Sequence, residues 1–135
     1  MEQNKRAAVY CRLAQADDEA MALQKERALR YAAELGYLNP IVYADNGVSG
    51  LTFDRPAFSA MNADIVAGKI GAVIVLSSSR IGRNLVETSS WIGKTKRKGV
   101  TLKAWDGSLE SQLRAFTGWR GDCYQIFGKR KTTRA

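Results

Sequence analysis

The chain has 135 residues, 45% of them hydrophobic and 25% charged, which suits one domain with a core of its own. No run of 18 apolar residues occurs, residues 1–6 contain no apolar signal core, and the complete lack of histidine excludes Ser-His-Asp and Cys-His chemistry. Lysine and arginine outnumber the acids 21 to 13, and the net charge of +8 favours a polyanion such as nucleic acid over an acidic small molecule.

Ala7, Ala8, Val9, Tyr10 and Cys11 follow a basic start and predict a first strand, with Arg12, Leu13 and Ala14 at its carboxyl end. Cys11 and the distant Cys123 form no CxxC pair, so free, buried thiols in a reducing cytoplasm are expected, and no metal site. A polar loop leads to Asp17 or Asp18, either of which could cap a helix. The spacing of Ala28, Tyr31, Ala32 and Leu35 predicts that helix over 19–35, stopped by Gly36. Gln24 and Arg27 lie near the first strand's end if the helix packs back on the sheet; plain surface polarity is the ordinary alternative.

Ile41, Val42 and Tyr43 predict a second strand. Residues 44–50, with Asp45, Ser49 and two glycines, read as a loop rich in exposed amides. Pro56 suits the first turn of the next helix, leaving Asp54 or Arg55 outside it, and Phe58, Met61 and Ile65 give its apolar face. Arg55 therefore stands at a helix start beside a glycine-rich loop, a neighbourhood that suits phosphate.

Residues 71–76 are small and β-branched with no polar alternation, the pattern of a third strand covered on both faces. Three serines then lead to Arg80 and Arg83, two guanidinium forks at the end of an open sheet where ligands bind. A solvated basic turn is the bland alternative. A helix follows over 84–97, with Leu85, Thr88 and Ile92 at helical spacing. The helix dipole accounts for Lys94, Lys96, Arg97 and Lys98 at its end, without a DNA site. Residues 100–104 alternate as a half-exposed fourth strand. Beyond the Asp106-Gly107 turn, Ser108 is placed to cap a final helical segment, and the basic tail 129–134 reads as frayed. The order β-α-β-α-β-α-β-α predicts an α/β fold: a mostly parallel sheet of about four strands flanked by helices, with a C-terminal helical segment.

Arg12, Arg55, and Arg80 with Arg83 thus come from three separate segments, each beside a strand end or glycine loop. Without histidine or metal ligands, converging guanidiniums are the obvious means of stabilising a phosphoryl transition state. At this point the chain resembles the catalytic domain of the serine site-specific recombinases, the resolvase/invertase family, and looks closest to its large-recombinase and transposon branch. The likeness spans about residues 7–107. It rests on Val9-Tyr10-Cys11-Arg12-Leu13, Gln24, residues 43–50, Phe53-Asp54-Arg55-Pro56, and Arg80-Ile81-Gly82-Arg83-Asn84. Each motif is weak alone, but their order and spacing are specific together.

The resemblance implies that Tyr10, Arg12, Gln24, Asp45, Ser49, Arg55, Arg80 and Arg83 occupy active-site positions. It implies DNA cleavage through a 5′-phosphoseryl intermediate, without metal or other cofactor, by dimers that pair into tetramers. It also implies a catalytic domain over 1–107. Residues 108–135 would begin the long dimerisation helix that leads to DNA-binding parts, so a shortened chain or a short relative is expected. Two positions depart from the family. The nucleophile stands two residues after the first-strand arginine, which here is Ala14, and a methyl group cannot attack phosphorus. An aspartate usually precedes the third-strand arginine, and here it is Ser79, which is expected to loosen Arg80.

The expected function is therefore a domain for site-specific DNA recombination that does not cleave. The alternatives are a non-catalytic regulatory partner of an active recombinase, or an active enzyme with a relocated hydroxyl such as Ser77 or Ser79. A hydroxyl displaced by one strand would sit about 5 Å out of place. A flavodoxin-like nucleotide or phosphoacceptor domain ranks last, because no glycine fingerprint or acidic cluster follows the first strand.

Overall fold

The computed structural model describes residues 5–48, 55–82 and 84–113. Four strands, β1 (Arg6–Leu13), β2 (Ile41–Asn46), β3 (Ile70–Val75) and β4 (Thr101–Ala104), form one sheet in the order β2-β1-β3-β4. Every pairing is parallel. Parallel neighbours need crossovers, and three helices supply them: α1 (Asp18–Glu34), α2 (Pro56–Val66) and α3 (Leu85–Arg97).

The sheet is covered on both sides, which explains why β1 and β3 lack polar alternation. Ala8, Tyr10, Val73 and Val75 face one core with Phe58, Met61 and Ile65 of α2 and Trp91 and Ile92 of α3. Ala7, Val9, Cys11, Ala72 and Ile74 face a second core with Met21, Ala28 and Ala32 of α1. Cys11, a free thiol, thus points away from Tyr10, as strand alternation requires. At the edge, β4 alternates, burying Leu102 and Ala104 and leaving Thr101 and Lys103 partly exposed.

Several element ends differ from the sequence expectation. β1 runs on through Arg12 to Leu13, and β2 runs past Tyr43 to Asn46, so Asp45 is a strand residue and not a loop residue. The cause is pairing: Arg12 stands opposite Asp45 and Leu13 opposite Asn46, and both strands lengthen together. Asp17 caps α1, its carboxylate accepting the Ala20 amide at 3.0 Å. Leu35, expected on the buried face of α1, stays 38% exposed. The three serines do not simply extend β3; Ser78–Arg80 form a 3-10 turn. Ser108 is the first residue of the helical turn over 108–113 and not its cap. Its amide and hydroxyl donate instead to Asp106 at 2.9 and 2.6 Å. Leu109 of that turn is fully buried in the main core, and the rest of the C-terminal segment lies outside the described residues. Among the described residues no helix is long and apolar enough to cross a membrane.

Candidate functional site

Parallel pairing brings the carboxyl ends of β1, β2 and β3 together at one end of the sheet. Arg12, on the same side of β1 as Tyr10, is 1% exposed. Its guanidinium donates to three backbone carbonyls: Ser79 at 2.8 Å, Val48 at 3.0 Å and Arg80 at 3.1 Å. Arg55, just ahead of α2, is 0% exposed. Its guanidinium donates to the Arg80 carbonyl at 2.9 Å, to the Ile81 carbonyl and to the Tyr10 hydroxyl at 3.1 Å. It also lies over the Phe58 ring, 4.3 Å from the centroid. Two buried cations from distant segments therefore hold the carbonyls of residues 79–81. That turn is the segment carrying Arg80.

Other buried polar side chains complete the cluster. Gln24, for which surface polarity was the ordinary alternative, is 6% exposed and brackets the Arg12 backbone. It accepts the Arg12 amide at 2.9 Å and donates to the Arg12 carbonyl at 3.3 Å. Its neighbour Arg27 stays exposed. Asp45 accepts the Tyr10 hydroxyl at 2.7 Å and the amides of Ala57 and Phe58 at 2.9 and 3.0 Å. A carboxylate on β2 thus caps α2, whose own preceding residue, Arg55, makes no side-chain cap. Sequence reading placed Asp45 in the site through family likeness but missed this role. The available signal was a helix opening Arg55-Pro56 with no capping side chain of its own.

Burial shapes the ionisation here. Desolvation, then the hydrogen bond to Asp45, pushes the Tyr10 phenol far above its usual range, so it stays a donor at any ordinary pH. Desolvation lowers the Arg55 pKa, and Tyr10 and Asp45 oppose that shift.

Arg80 is held differently. It is only half-buried, and among the described residues its guanidinium makes one long hydrogen bond, Nη1 to the Arg12 carbonyl at 3.4 Å, while Nε has no partner. Among the described residues the Ser79 side chain makes no hydrogen bond to it. The Ser79 hydroxyl instead donates to the Ser77 hydroxyl at 3.2 Å. Ser77 and Asp106 line the same cleft. Burial would raise the Asp106 pKa, but the Ser108 hydrogen bonds, with Ser77 nearby, outweigh it and bring it below its usual value. Ser108 and Gln112 also bind Ser78, through its amide at 2.7 Å and its hydroxyl at 2.9 Å. Ala14 is exposed just beyond β1. The structure thus brings together Tyr10, Arg12, Gln24, Asp45, Arg55, Ser79 and Arg80. Ser49 and Arg83 lie outside the described residues. Among the described residues no group of three or more His, Cys, Asp or Glu could hold a metal ion.

Comparison with known proteins fits this architecture. The family model described as Resolvase, N terminal domain, matches residues 7–118. The N-terminal catalytic domain of TP901-1 integrase superposes with a TM-score of 0.73 at 20% identity, covering 86% of this chain and 97% of that one. The C-terminal catalytic domain of ISC1926 TnpA, an IS607-like serine recombinase, gives 0.67 at 20% identity, covering 93% and 88%. A resolvase family site-specific recombinase from Streptococcus pneumoniae gives 0.64 at 24% identity, covering 91% and 93%. At these identities the structural likeness speaks for the fold alone. No curated protein sequence matches the chain.

Proposed function

Since the chain belongs to the resolvase N-terminal domain family, we propose that it is a serine-recombinase-type domain that engages a DNA backbone phosphate but does not cleave it. The observation that carries this reading is the convergence of Arg12, Arg55 and Arg80 beside the end of β1, where residue 14 carries only a methyl group. Arg12 and Arg55 fix the 79–81 turn from behind, and Arg80, loosely held, is the guanidinium with donors to offer a phosphate. Transfer of the phosphate to protein needs an attacking oxygen, and Ala14, exposed at the end of β1, has none. Tyr10, Gln24 and Asp45 act as positioning residues: they hold Arg12, Arg55 and α2, and none needs to gain or lose a proton.

A second reading has one observation in its favour. Ser77, Arg80 and the Asp106 carboxylate line the same cleft. In that reading the Ser77 oxygen would attack phosphorus, its proton passing to Asp106, and the 3′ oxygen of the DNA would leave.

One experiment separates the two. The chain is fused by a flexible linker to a sequence-specific DNA-binding module, which raises the local DNA concentration to about the millimolar range. It is then incubated with nicked duplex substrates that trap a covalent adduct. The first reading expects no protein–DNA adduct from the unmodified chain and a measurable one from Ala14→Ser, larger when Ser79→Asp is added. An adduct from the unmodified chain, mapped to Ser77, would establish the second reading and overturn the first.

A further inference from the structure

Among the described residues, the face of the sheet that carries α1 is incompletely covered. α1 packs on β1, β2 and β3, and it reaches the end of β4 through Tyr31, whose hydroxyl donates to the Ala104 carbonyl at 3.3 Å. Between the helix and the ends of β3 and β4 lies a cleft of about 640 Å³. Arg27, Arg30 and Tyr31 recur at i, i+3 and i+4, so one face of α1 presents two guanidiniums and an aromatic ring to it. Arg80 and Trp105 line it from the sheet side.

Trp105 is the unusual member. The residue is 66% exposed, yet its backbone is fixed, with its own amide donating to the Val75 carbonyl at 2.9 Å and the next amide to the Leu76 carbonyl at 3.2 Å. A large aromatic face on a fixed backbone has only two side-chain torsions left to order when something stacks on it. The charges are of mixed sign. Three guanidiniums face two carboxylates, Glu34 and Asp106, and Arg30 already pairs with Glu26 at 2.9 Å. Asp106 is occupied by Ser108. Arg27 and Arg80 remain the cations best placed for an added anion.

A cleft of this size lies within the range that holds one small molecule. One flat ring beside two guanidinium forks suits one base and one phosphate. A paired duplex cannot use it, because its bases are already stacked on one another. We propose that this cleft binds one unpaired nucleotide of single-stranded DNA, the base stacked on Trp105 and the phosphate on Arg27 and Arg80. The proposal rests on the reading of DNA as the partner and deepens it: the cleft shares Arg80 with the place where duplex backbone is engaged, so single strand and duplex compete for that guanidinium. Stacking of this kind tolerates any base, so little sequence preference is expected.

The test is fluorescence anisotropy at low salt with the full chain and three labelled 12-residue probes: oligodeoxythymidine, an abasic oligomer with the same phosphates, and a duplex. The expected result is at least fivefold tighter binding of oligodeoxythymidine than of the abasic strand. Trp105→Ala is expected to abolish that preference and Trp105→Phe to keep most of it. Arg27→Gln is expected to weaken both single strands and to reduce the slope of log affinity against log salt by about 0.7. These side chains are exposed, so the variants fold, which circular dichroism verifies. Equal binding of the thymidine and abasic strands, or a preference untouched by Trp105→Ala, would overturn the cleft while duplex binding left the DNA reading standing. Failure to bind any of the three probes would overturn both.

Discussion

Gln24 shows how one side chain can hold a site it never touches chemically. Its amide group satisfies both the N–H and the carbonyl of Arg12, two backbone groups that the β1 ladder leaves to it. Removing it as Gln24→Ala leaves the buried Arg12 amide without a partner and its carbonyl with only the long bond from Arg80, and each such loss costs about 1–3 kcal/mol. Urea unfolding is therefore expected to show a loss of about 2–4 kcal/mol for Gln24→Ala. A second residue-scale expectation concerns alkaline pH. Burial lifts the Cys11 thiol from 9.0 to about 11, and it lifts the Tyr10 and Tyr43 phenols further. A group whose pKa is raised by folding stabilises the fold fully below its unfolded pKa and loses that contribution as pH rises through the folded one. Stability is therefore expected to hold up to about pH 9 and then fall, with Cys11 contributing about 2 kcal/mol of the loss by pH 11. In Cys11→Ala the fall between pH 9 and 11 is expected to be shallower, whatever the variant's stability at neutral pH, as unfolding curves across that range would show.

At the scale of elements, the hydrophobic pattern carried most of the information. The unbroken apolar run of β3 announced a strand covered on both faces, and the alternation of β4 announced an edge, because burial on one face or two is written directly into residue type. Partners were far less legible. Arg12 and Arg55 read as anion grips, since a guanidinium in a sequence suggests an anion, yet both donate to main-chain carbonyls, and every residue has one of those. The cap of α2 was hidden for a related reason: it comes from Asp45, on another element and ten residues ahead of Arg55. That arrangement makes a prediction about α2. Asp45→Ala removes the acceptor for two helix-terminal amides and for the Tyr10 hydroxyl at once. A loss of about 3–5 kcal/mol is expected, above the 0.5–2 kcal/mol of an ordinary exposed cap. Asp45→Asn retains one oxygen and is expected to lose less. Thermal unfolding of the two variants side by side checks the order, and equal losses would mean that the charge, not the geometry, holds the helix.

Across the whole molecule, an all-parallel sheet sorts its charges by end. The strands deliver Arg12, Asp45, the 78–80 turn and Trp105 to their carboxyl end, while each helix returns the chain to the other. The cations that close α3, Lys94, Lys96, Arg97 and Lys98, therefore lie at the amino end of β4, away from the site, and all are exposed. Both groups contribute to the net charge of +8, but only one has the geometry to meet a phosphate beside the candidate site. A duplex probe distinguishes a general cationic attraction from a located one, because each phosphate contact on B-DNA adds about 0.9 to the slope of log affinity against log salt. Arg80→Gln, which removes one charge, is expected to lower duplex affinity several-fold and to reduce that slope by about 0.9. Lys96→Gln with Arg97→Gln removes two charges, so mere charge counting expects twice the change. Located binding expects the reverse order, with the double variant within about twofold of the parent and its slope nearly intact, since exposed charges more than a Debye length of about 10 Å from the contact are screened. Titrations of the three proteins between 50 and 200 mM salt decide it, and a double variant weaker than Arg80→Gln would move the DNA-contacting surface to the opposite end of the sheet.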